Sequence, residues 1–433
     1  MLLSIEKLIY GGDGLARTPP GADGRSLAVF VPFVLPGEQV EAEIAEQKPG
    51  FARGSVARLV EPSADRVAAR CPYFQHCGGC HYQHIPYSRQ LEFKAEILRE
   101  TLQRVAKIGL NDEIQMHASP PWHYRNRTRL QVETAPEFAL GYFKFGSHEF
   151  LPVCECPISS PLIDRTIARL VELQGCECPA EVEEIEFFAD DGDGRLLAWV
   201  FCARGTDTKK LLQWAERLQR ELLAVAGVSF FPSRRRSEDE APAGIKPLAQ
   251  SGDPTLRYRV GETEYRVSVG AFFQVNRHLV NELASVVTAD ASGETALDLY
   301  AGVGLFSVLL ARSFHHIFAV EASLISHADL LQNVPANVKA VGTRTEDYLR
   351  SRPVRTRPDL VVIDPPRTGA GKVVTRWLAD LGAPRVRYVS CDPATLARDL
   401  APLLASGYRI EETHLFDLFP QTYHIETVML LAR

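Results

Sequence analysis

The sequence predicts a multidomain protein of the mixed α/β class. It would comprise a small β-barrel at residues 1–62, a central α+β domain at 63–260 and a doubly wound α/β domain at 261–433. Short apolar runs broken by Gly and Pro indicate the barrel, and strands that alternate with helices from about Ala291 indicate the doubly wound domain. A chain of 433 residues also exceeds what one hydrophobic core usually organises.

The composition is that of an ordinary globular protein, with 45% hydrophobic and 24% charged residues. No apolar run is long enough to cross a bilayer, and the first residues do not resemble an export signal. We therefore expect a cytoplasmic protein that has no membrane partner and no obligate protein partner. The formal net charge of -6 means that any contact with nucleic acid must come from local basic clusters.

The nine cysteines raise a separate question, because the cytosol keeps thiols reduced and disulfides are rare there. Metal binding and nucleophilic catalysis are the remaining uses. Small barrels such as the one predicted at 1–62 often bind nucleic acid, but many are structural adaptors, and the spacing of the strands leaves both roles open.

The central segment starts with a helix and continues as a mixture of helices and strands. Leu91, Ala95, Leu98 and Leu102 recur at helical spacing, and strand-like and helical runs follow from about Trp122. Residues 233–240 contain opposing charge runs and no apolar residue, which is typical of a solvated loop.

A ligand pocket is predicted at the first strand of the C-terminal domain. The strand ALDL (296–299) runs into Tyr300, Gly302 and Gly304, and glycines at the carboxyl end of such a strand let the backbone approach a ligand. The next strand ends in Glu321, about where an acidic residue reaches ribose hydroxyls. Ser307 takes the place of the third glycine of a dinucleotide motif, so an adenosine cofactor without a pyrophosphate fits best.

Two further strands deliver reactive side chains to the same edge of the sheet. Cys391 follows the strand VRYVS (386–390) and precedes a helix whose dipole favours a thiolate, although a buried structural thiol is the commoner fate of a single Cys. Asp364 and two prolines follow LVVI (360–363), as a rigid rim or simply a helix start. Glu426 precedes the last apolar strand and is either a general base or a surface carboxylate.

Three cysteines are clustered at Cys71, Cys77 and Cys80, within reach of one metal centre. Cys156 can supply a fourth ligand from a distant segment, with Cys154 as the alternative, and the run CECP (154–157) recurs at 176–179. From spacing alone, a zinc ion bound by four thiolates is the favoured interpretation.

Several runs together resemble the RNA 5-methyluridine methyltransferases, namely SCDPATLARD (390–399), DPPR (364–367) and HIE (424–426). The first 62 residues resemble the TRAM domain that the 23S ribosomal-RNA branch of this family carries, whereas members that modify transfer RNA commonly lack it. The resemblance implies a Rossmann-like domain that uses S-adenosylmethionine to methylate carbon 5 of a uridine, with ribosomal RNA favoured over transfer RNA as the partner. It also implies that the barrel binds RNA and contributes little to the chemical step.

The resemblance also assigns roles to single residues. Cys391 would be the nucleophile that adds to carbon 6 of the base, and Glu426 the base that removes the carbon 5 proton. The implied cofactor site comprises Gln274, Tyr300, Gly302, Gly304, Glu321 and Asp364. In place of zinc, the resemblance implies a [4Fe-4S] cluster that helps the central domain to fold, held by Cys71, Cys77, Cys80 and Cys156.

Other interpretations stay open at this point. The run YRNRTR (124–129) suits phosphate contact and base stacking, but equally a strand edge with salt bridges. An amino-group methyltransferase that uses the Asp364 rim would not need Cys391. A non-catalytic iron-sulfur protein that binds RNA would need neither Cys391 nor Glu426.

Overall fold

A computed structural model of the chain describes residues 1–21, 24–110, 113–233, 246–351 and 357–433. The solvated loop predicted at 233–240 lies, apart from its first residue, outside these ranges. Within them, no helix combines the length and the apolar character that crossing a membrane requires.

The N-terminal residues form the closed barrel that the sequence predicts. Alternate side chains such as Leu3, Ile5 and Val40 point into its own small core, as expected from the two-residue period of a strand. The strands close in the order β1-β2-β3-β5-β4; they are β1 (Leu2–Leu8), β2 (Asp13–Arg17), β3 (Ala28–Pro32), β4 (Gln39–Lys48) and β5 (Phe51–Glu61).

The central segment contains a mixed sheet covered by helices. Its strands lie in the order β13-β12-β11-β10-β7-β8-β9, and two helices bury Trp214 and their apolar stripes against it. The elements up to this point are α1 (Tyr87–Ala106), β6 (Ile114–His117), β7 (Arg127–Glu133), β8 (Ala139–Phe143), β9 (Phe150–Pro152), α2 (Pro161–Glu172), β10 (Val182–Ala189), β11 (Leu196–Cys202), α3 (Thr208–Glu221), β12 (Val225–Pro232) and β13 (Ala249–Gly252).

The C-terminal segment is the doubly wound α/β domain that the alternating pattern predicts. A hairpin precedes it, formed by β14 (Thr255–Val260) and β15 (Thr263–Ser268). The domain itself comprises α4 (Val280–Thr288), β16 (Gly293–Leu299), α5 (Leu305–Leu310), β17 (Phe314–Glu321), α6 (Leu324–Asn333), β18 (Val338–Gly342), α7 (Thr345–Ser351), β19 (Leu360–Ile363), α8 (Gly371–Leu381), β20 (Arg385–Ser390), α9 (Pro393–Ala405), β21 (Arg409–Phe416) and β22 (Glu426–Ala432).

The order of the strands in this sheet, β18-β17-β16-β19-β20-β22-β21-β6, explains where a ligand can bind. Strands β16 to β20 are parallel, and the order reverses between β16 and β19, which is where open sheets of this kind bind ligands, at the carboxyl ends of the strands. Strand β22 is antiparallel to both of its neighbours, so its first residue lies at that same edge.

Two elements from the interval 63–260 join the C-terminal domain. Strand β6 pairs in parallel with β21, in the register Ile114 to Thr413. Helix α1 packs on α9 and buries Leu98 and Leu102 in the same core cluster as Leu396. The predicted domain bounds stay a prediction, but α1 and β6 are structurally part of the C-terminal sheet and its helical layer.

Candidate active site

Acidic and nucleophilic side chains gather at the carboxyl edge of the C-terminal sheet. Asp298 and Glu321 lie at the ends of β16 and β17, and Asp364 and Cys391 directly follow β19 and β20. Glu426 begins β22, where Thr427 pairs with Ser390. The structure therefore brings the predicted nucleophile, the predicted base and the predicted cofactor residues Glu321 and Asp364 to one edge.

The loop after β16 has the shape that its glycines predict. Tyr300, Gly302 and Gly304 all have positive φ angles, of 65°, 56° and 95°. A Cβ on Gly304 would lie 2.7 Å from Leu330, so only glycine fits there, whereas a Cβ on Gly302 would meet nothing within 4 Å. The open space beside Gly302 leaves room for a ligand next to the backbone.

Glu321 holds this loop against the next one. Its carboxylate accepts hydrogen bonds from the backbone amides of Gly302 at 2.8 Å and Ser323 at 2.6 Å. Behind the loop, the Ser307 hydroxyl donates to Asp298, whose pKa is raised by burial to about 6. Ser307, which replaces the third glycine of the motif, is thus a hydrogen-bond partner of the buried Asp298 carboxyl. The motif alone did not predict this contact.

Gln274 lies in the loop between β15 and α4. Its carbonyl accepts from the Asn126 side chain at 3.1 Å. Two residues later, the Asn276 amide donates to the carbonyl of Leu418 at 3.1 Å, which ties the loop to the segment before β22. Tyr300 is half-buried, and this burial raises its pKa to about 12.

The pKa of Cys391 is raised, whereas the sequence predicted that the dipole of α9 would favour its thiolate. Burial, followed by the charges of Glu426 and Asp364, raises the pKa of the Cys391 thiol to about 12. The first amides of α9 are already taken, because the Asp392 carboxylate accepts from Ala394 at 3.0 Å and Thr395 at 2.9 Å. In the free protein, burial and the carboxyl groups outweigh the helix end.

The two neighbouring carboxyls also favour their protonated forms. Burial, and then the charge of Asp298, raises the pKa of Asp364 to about 7. Burial and the charge of Asp364 raise the pKa of Glu426 well above its usual range, while Arg367 opposes the shift. The site therefore carries more acidic groups than its own cations can balance.

Arg367 is a cation close to Cys391 and Glu426. It belongs to the run DPPR (364–367), but no role could be assigned to it from the sequence. Its guanidinium lies 3.2 Å from Nδ1 of His424. Burial, followed by the charge of Arg367, lowers the pKa of His424 to about 3, so this imidazole is neutral at physiological pH. Arg367 also lowers the pKa of Cys391 and therefore favours its ionised form.

The four cysteines predicted to bind a cluster influence one another electrostatically. Burial, and then the charges of Cys156 and Cys71, raises the pKa of Cys77 to about 11, and Cys156 acts on Cys71 and Cys80 in the same way. The alternative ligand Cys154 is exposed, with its sulfur 3.2 Å from the Tyr73 hydroxyl. Across the described ranges, no group of three or more His, Cys, Asp or Glu side chains has a geometry that could hold a metal ion.

The basic run 124–129 is largely engaged within the protein. Tyr124 is fully buried and donates to the carbonyl of Pro420 at 3.0 Å, so it is not available to stack on a base. Arg127 donates to the carbonyl of Ala271 at 2.8 Å. Arg129 pairs with Glu186 at 2.9 Å but stays 40% exposed, so this strand fits the salt-bridged interpretation better.

Comparisons with known proteins give the class first. The family model for the TRAM domain matches residues 1–57, and the model for tRNA (uracil-5-)-methyltransferases matches residues 355–433. The fold is that of the crystal structure of Pyrococcus abyssi tRNA (uracil-54, C5)-methyltransferase in complex with S-adenosyl-L-homocysteine, with a TM-score of 0.75, 24% identity and complete coverage of both chains. The protein is thus a TRAM domain joined to a Rossmann-like methyltransferase domain.

Curated relatives then give the family. The 23S rRNA (uracil(1939)-C(5))-methyltransferase RlmD of Halomonas elongata is 32% identical over 99% of this chain and 89% of its own. An uncharacterized RNA methyltransferase of Halalkalibacterium halodurans is 30% identical over 99% of this chain and 96% of its own. The chain belongs to the RNA (uracil-5-)-methyltransferase family, which confirms the resemblance found in the sequence.

Proposed function

We propose that the protein transfers a methyl group from S-adenosylmethionine to carbon 5 of a uridine in 23S ribosomal RNA, through a covalent bond between Cys391 and carbon 6. The observation that carries the proposal is the meeting of Cys391, Glu426 and Asp364 at one sheet edge. Carbon 5 of uracil is a weak nucleophile. Covalent addition at carbon 6 divides this barrier into smaller steps.

The residues at the edge fit a cationic adenosine cofactor. Gln274, Tyr300, Gly302, Gly304, Glu321 and Asp364 would hold S-adenosylmethionine, which supplies an electrophilic methyl group and a positive sulfonium charge. The open space beside Gly302 gives access to the backbone. Burial and then the charges of neighbouring carboxyls raise the pKa values of Asp364 and Cys391, and a positive ligand would oppose this shift.

The protein's own side chains divide the work on the base. The Cys391 thiolate adds to carbon 6, and the resulting enolate makes carbon 5 nucleophilic. After methylation, Glu426 takes the proton from carbon 5 and the Cys391 sulfur leaves. Arg367 lowers the pKa of both Cys391 and Glu426, so it favours the ionised form that each step needs.

The target is expected to be a uridine that can leave its stack, because the nucleophile is itself half-buried. The TRAM domain and the 23S rRNA enzyme among the relatives favour ribosomal RNA.

Mapping of methylated nucleosides in RNA, with and without the gene, tests this function. We expect 5-methyluridine to disappear from one or more 23S rRNA positions and to return when the purified protein is added. Loss confined to transfer RNA would contradict the ribosomal assignment. Loss of an amino-methylated nucleoside would indicate an amino-group methyltransferase, and an unchanged profile would indicate a non-catalytic RNA-binding protein.

We further propose that Cys71, Cys77, Cys80 and Cys156 hold a [4Fe-4S] cluster. The cluster binds one thiolate at each iron, so it separates its ligands more than a single zinc ion does. The charge of Cys156 raises the pKa of Cys71, Cys77 and Cys80, so the four thiols are neighbours, as ligands of one cluster must be. The cluster would also support the active site, because the amides of His81 and Tyr82 donate to the carbonyl of Gln421.

Metal content tests the cluster. Protein purified without oxygen should be brown and contain about four iron atoms per chain. Cys156→Ser should lose most of this iron, whereas the matched control Cys154→Ser should retain it. Stoichiometric zinc without iron would contradict the proposal, and equal iron loss in both variants would contradict the choice of Cys156.

The cysteines also support a cytoplasmic location. All nine lie in the described ranges and are unpaired, as thiols are in a reducing compartment.

A further inference from the structure

The first hairpin of the N-terminal barrel touches the backbone of the proposed nucleophile. Tyr10 lies in the turn between β1 and β2, and its hydroxyl donates to the carbonyl of Cys391 at 3.3 Å, across 381 positions of sequence. Its ring meets the ring of Tyr423 edge to face, with 5.6 Å between centroids and an interplanar angle of 89°. The barrel therefore contributes a side chain to the active-site edge.

The hairpin is held firmly in this place. Leu8, just before the turn, is 4% exposed and packs in the core cluster of the C-terminal domain rather than in the barrel. Gly12 has a φ of 96°, and a Cβ there would lie 3.1 Å from the His81 ring. The close packing on both sides of Tyr10 indicates a well-packed interface between this hairpin and the rest of the protein.

Tyr10 also acts on the cation of the site. Burial lowers the pKa of Arg367, but the neighbouring side chains of Tyr423 and Tyr10 outweigh burial and raise it. Arg367 in turn contacts His424 and lies close enough to Cys391 and Glu426 to lower the pKa of each. Tyr10 thus bonds the main chain of the nucleophile and lies near the cation that favours ionisation of its thiol.

We propose that Tyr10 is a positioning residue for methyl transfer, and that the barrel completes the catalytic centre by holding the Cys391 backbone in place. The inference rests on the proposed function of Cys391. It gives the barrel a part in the chemical step, which the sequence did not indicate.

Tyr10→Phe tests this role, because it removes the hydroxyl and keeps the ring. We expect kcat for RNA methylation to fall on the order of tenfold, since small misplacements of reacting groups are costly, while KM for RNA stays within about twofold because uniform binding is unchanged. The matched control is Tyr408→Phe, which removes a hydroxyl that donates to the carbonyl of Ala383 at 2.8 Å. That contact lies at the opposite edge of the sheet and should leave kcat unchanged.

The outcomes separate this proposal from the function itself. If the wild-type protein forms no 5-methyluridine, the proposed function fails. If the wild type is active and Tyr10→Phe has the same kcat, or changes only KM, the positioning role fails. Should Tyr10→Phe not fold, as judged by its thermal unfolding, Tyr10→Leu also removes the hydroxyl and keeps an apolar side chain, and a wild-type kcat in that variant would overturn the proposal.

Discussion

Glu426→Gln should leave the protein attached to its RNA as a methylated covalent adduct. The nucleophile and the methyl donor site are intact in this variant, so addition and methyl transfer still occur. Release should stall, because an amide is far too weak a base to take the carbon 5 proton, and expulsion of Cys391 depends on that step. Denaturing gel electrophoresis should show the adduct, and peptide mass spectrometry should map it to Cys391.

Two further variants make this result specific. Cys391→Ala cannot form an adduct, and its methylation should fall to background. Glu411→Gln changes an exposed carboxylate that pairs with Arg409 on β21, and it should turn over as the wild type does. A wild-type rate in Glu426→Gln would mean that another group removes the proton, and Asp364 would become the first candidate.

Lys94→Met should destabilise the protein strongly. Lys94 is completely buried in α1, and its ammonium donates to Asp417 at 2.6 Å and to the carbonyl of Phe419 at 3.1 Å. Burial lowers the pKa of Lys94, and the charge of Asp417 opposes this effect. Without the lysine, the Asp417 carboxylate remains buried without its cation, which costs about 3–5 kcal/mol.

Urea unfolding measures this loss. The double variant Lys94→Met and Asp417→Leu should recover much of the stability, because replacing both members of a buried pair is far less costly than removing one. Lys7→Met breaks an exposed pair with Glu100 and should have little effect. A Lys94→Met protein as stable as this control would show that the buried pair contributes little.

The positions of Asp364 and Cys391 could be predicted from the sequence, because strands and their ends are visible as apolar runs. Asp364 and Cys391 each follow an apolar strand, and the carboxyl ends of parallel strands share one edge. The sequence alone did not give the direction of the last strand. Glu426 reaches the same edge only because β22 runs antiparallel to β20.

Other features could not be predicted, because they depend on burial and on contacts between distant segments. The pKa of Cys391 follows from its burial and two carboxyls, which a motif does not record. Tyr124 looked suited to base stacking, but the structure buries its ring. Tyr10 reaches Cys391 across domains, and no local pattern marks such a contact.

The pairing of β6 with β21 has a consequence for biosynthesis. His117 and His414, hydrogen-bonded across these strands, are 297 positions apart, so β6 leaves the ribosome long before its neighbour exists. Contacts of such high sequence separation form late, and an unpaired strand edge is prone to aggregation while it waits. The nascent chain therefore carries β6 without its partner while all the intervening residues are synthesised, and the catalytic sheet is completed only after β21 emerges.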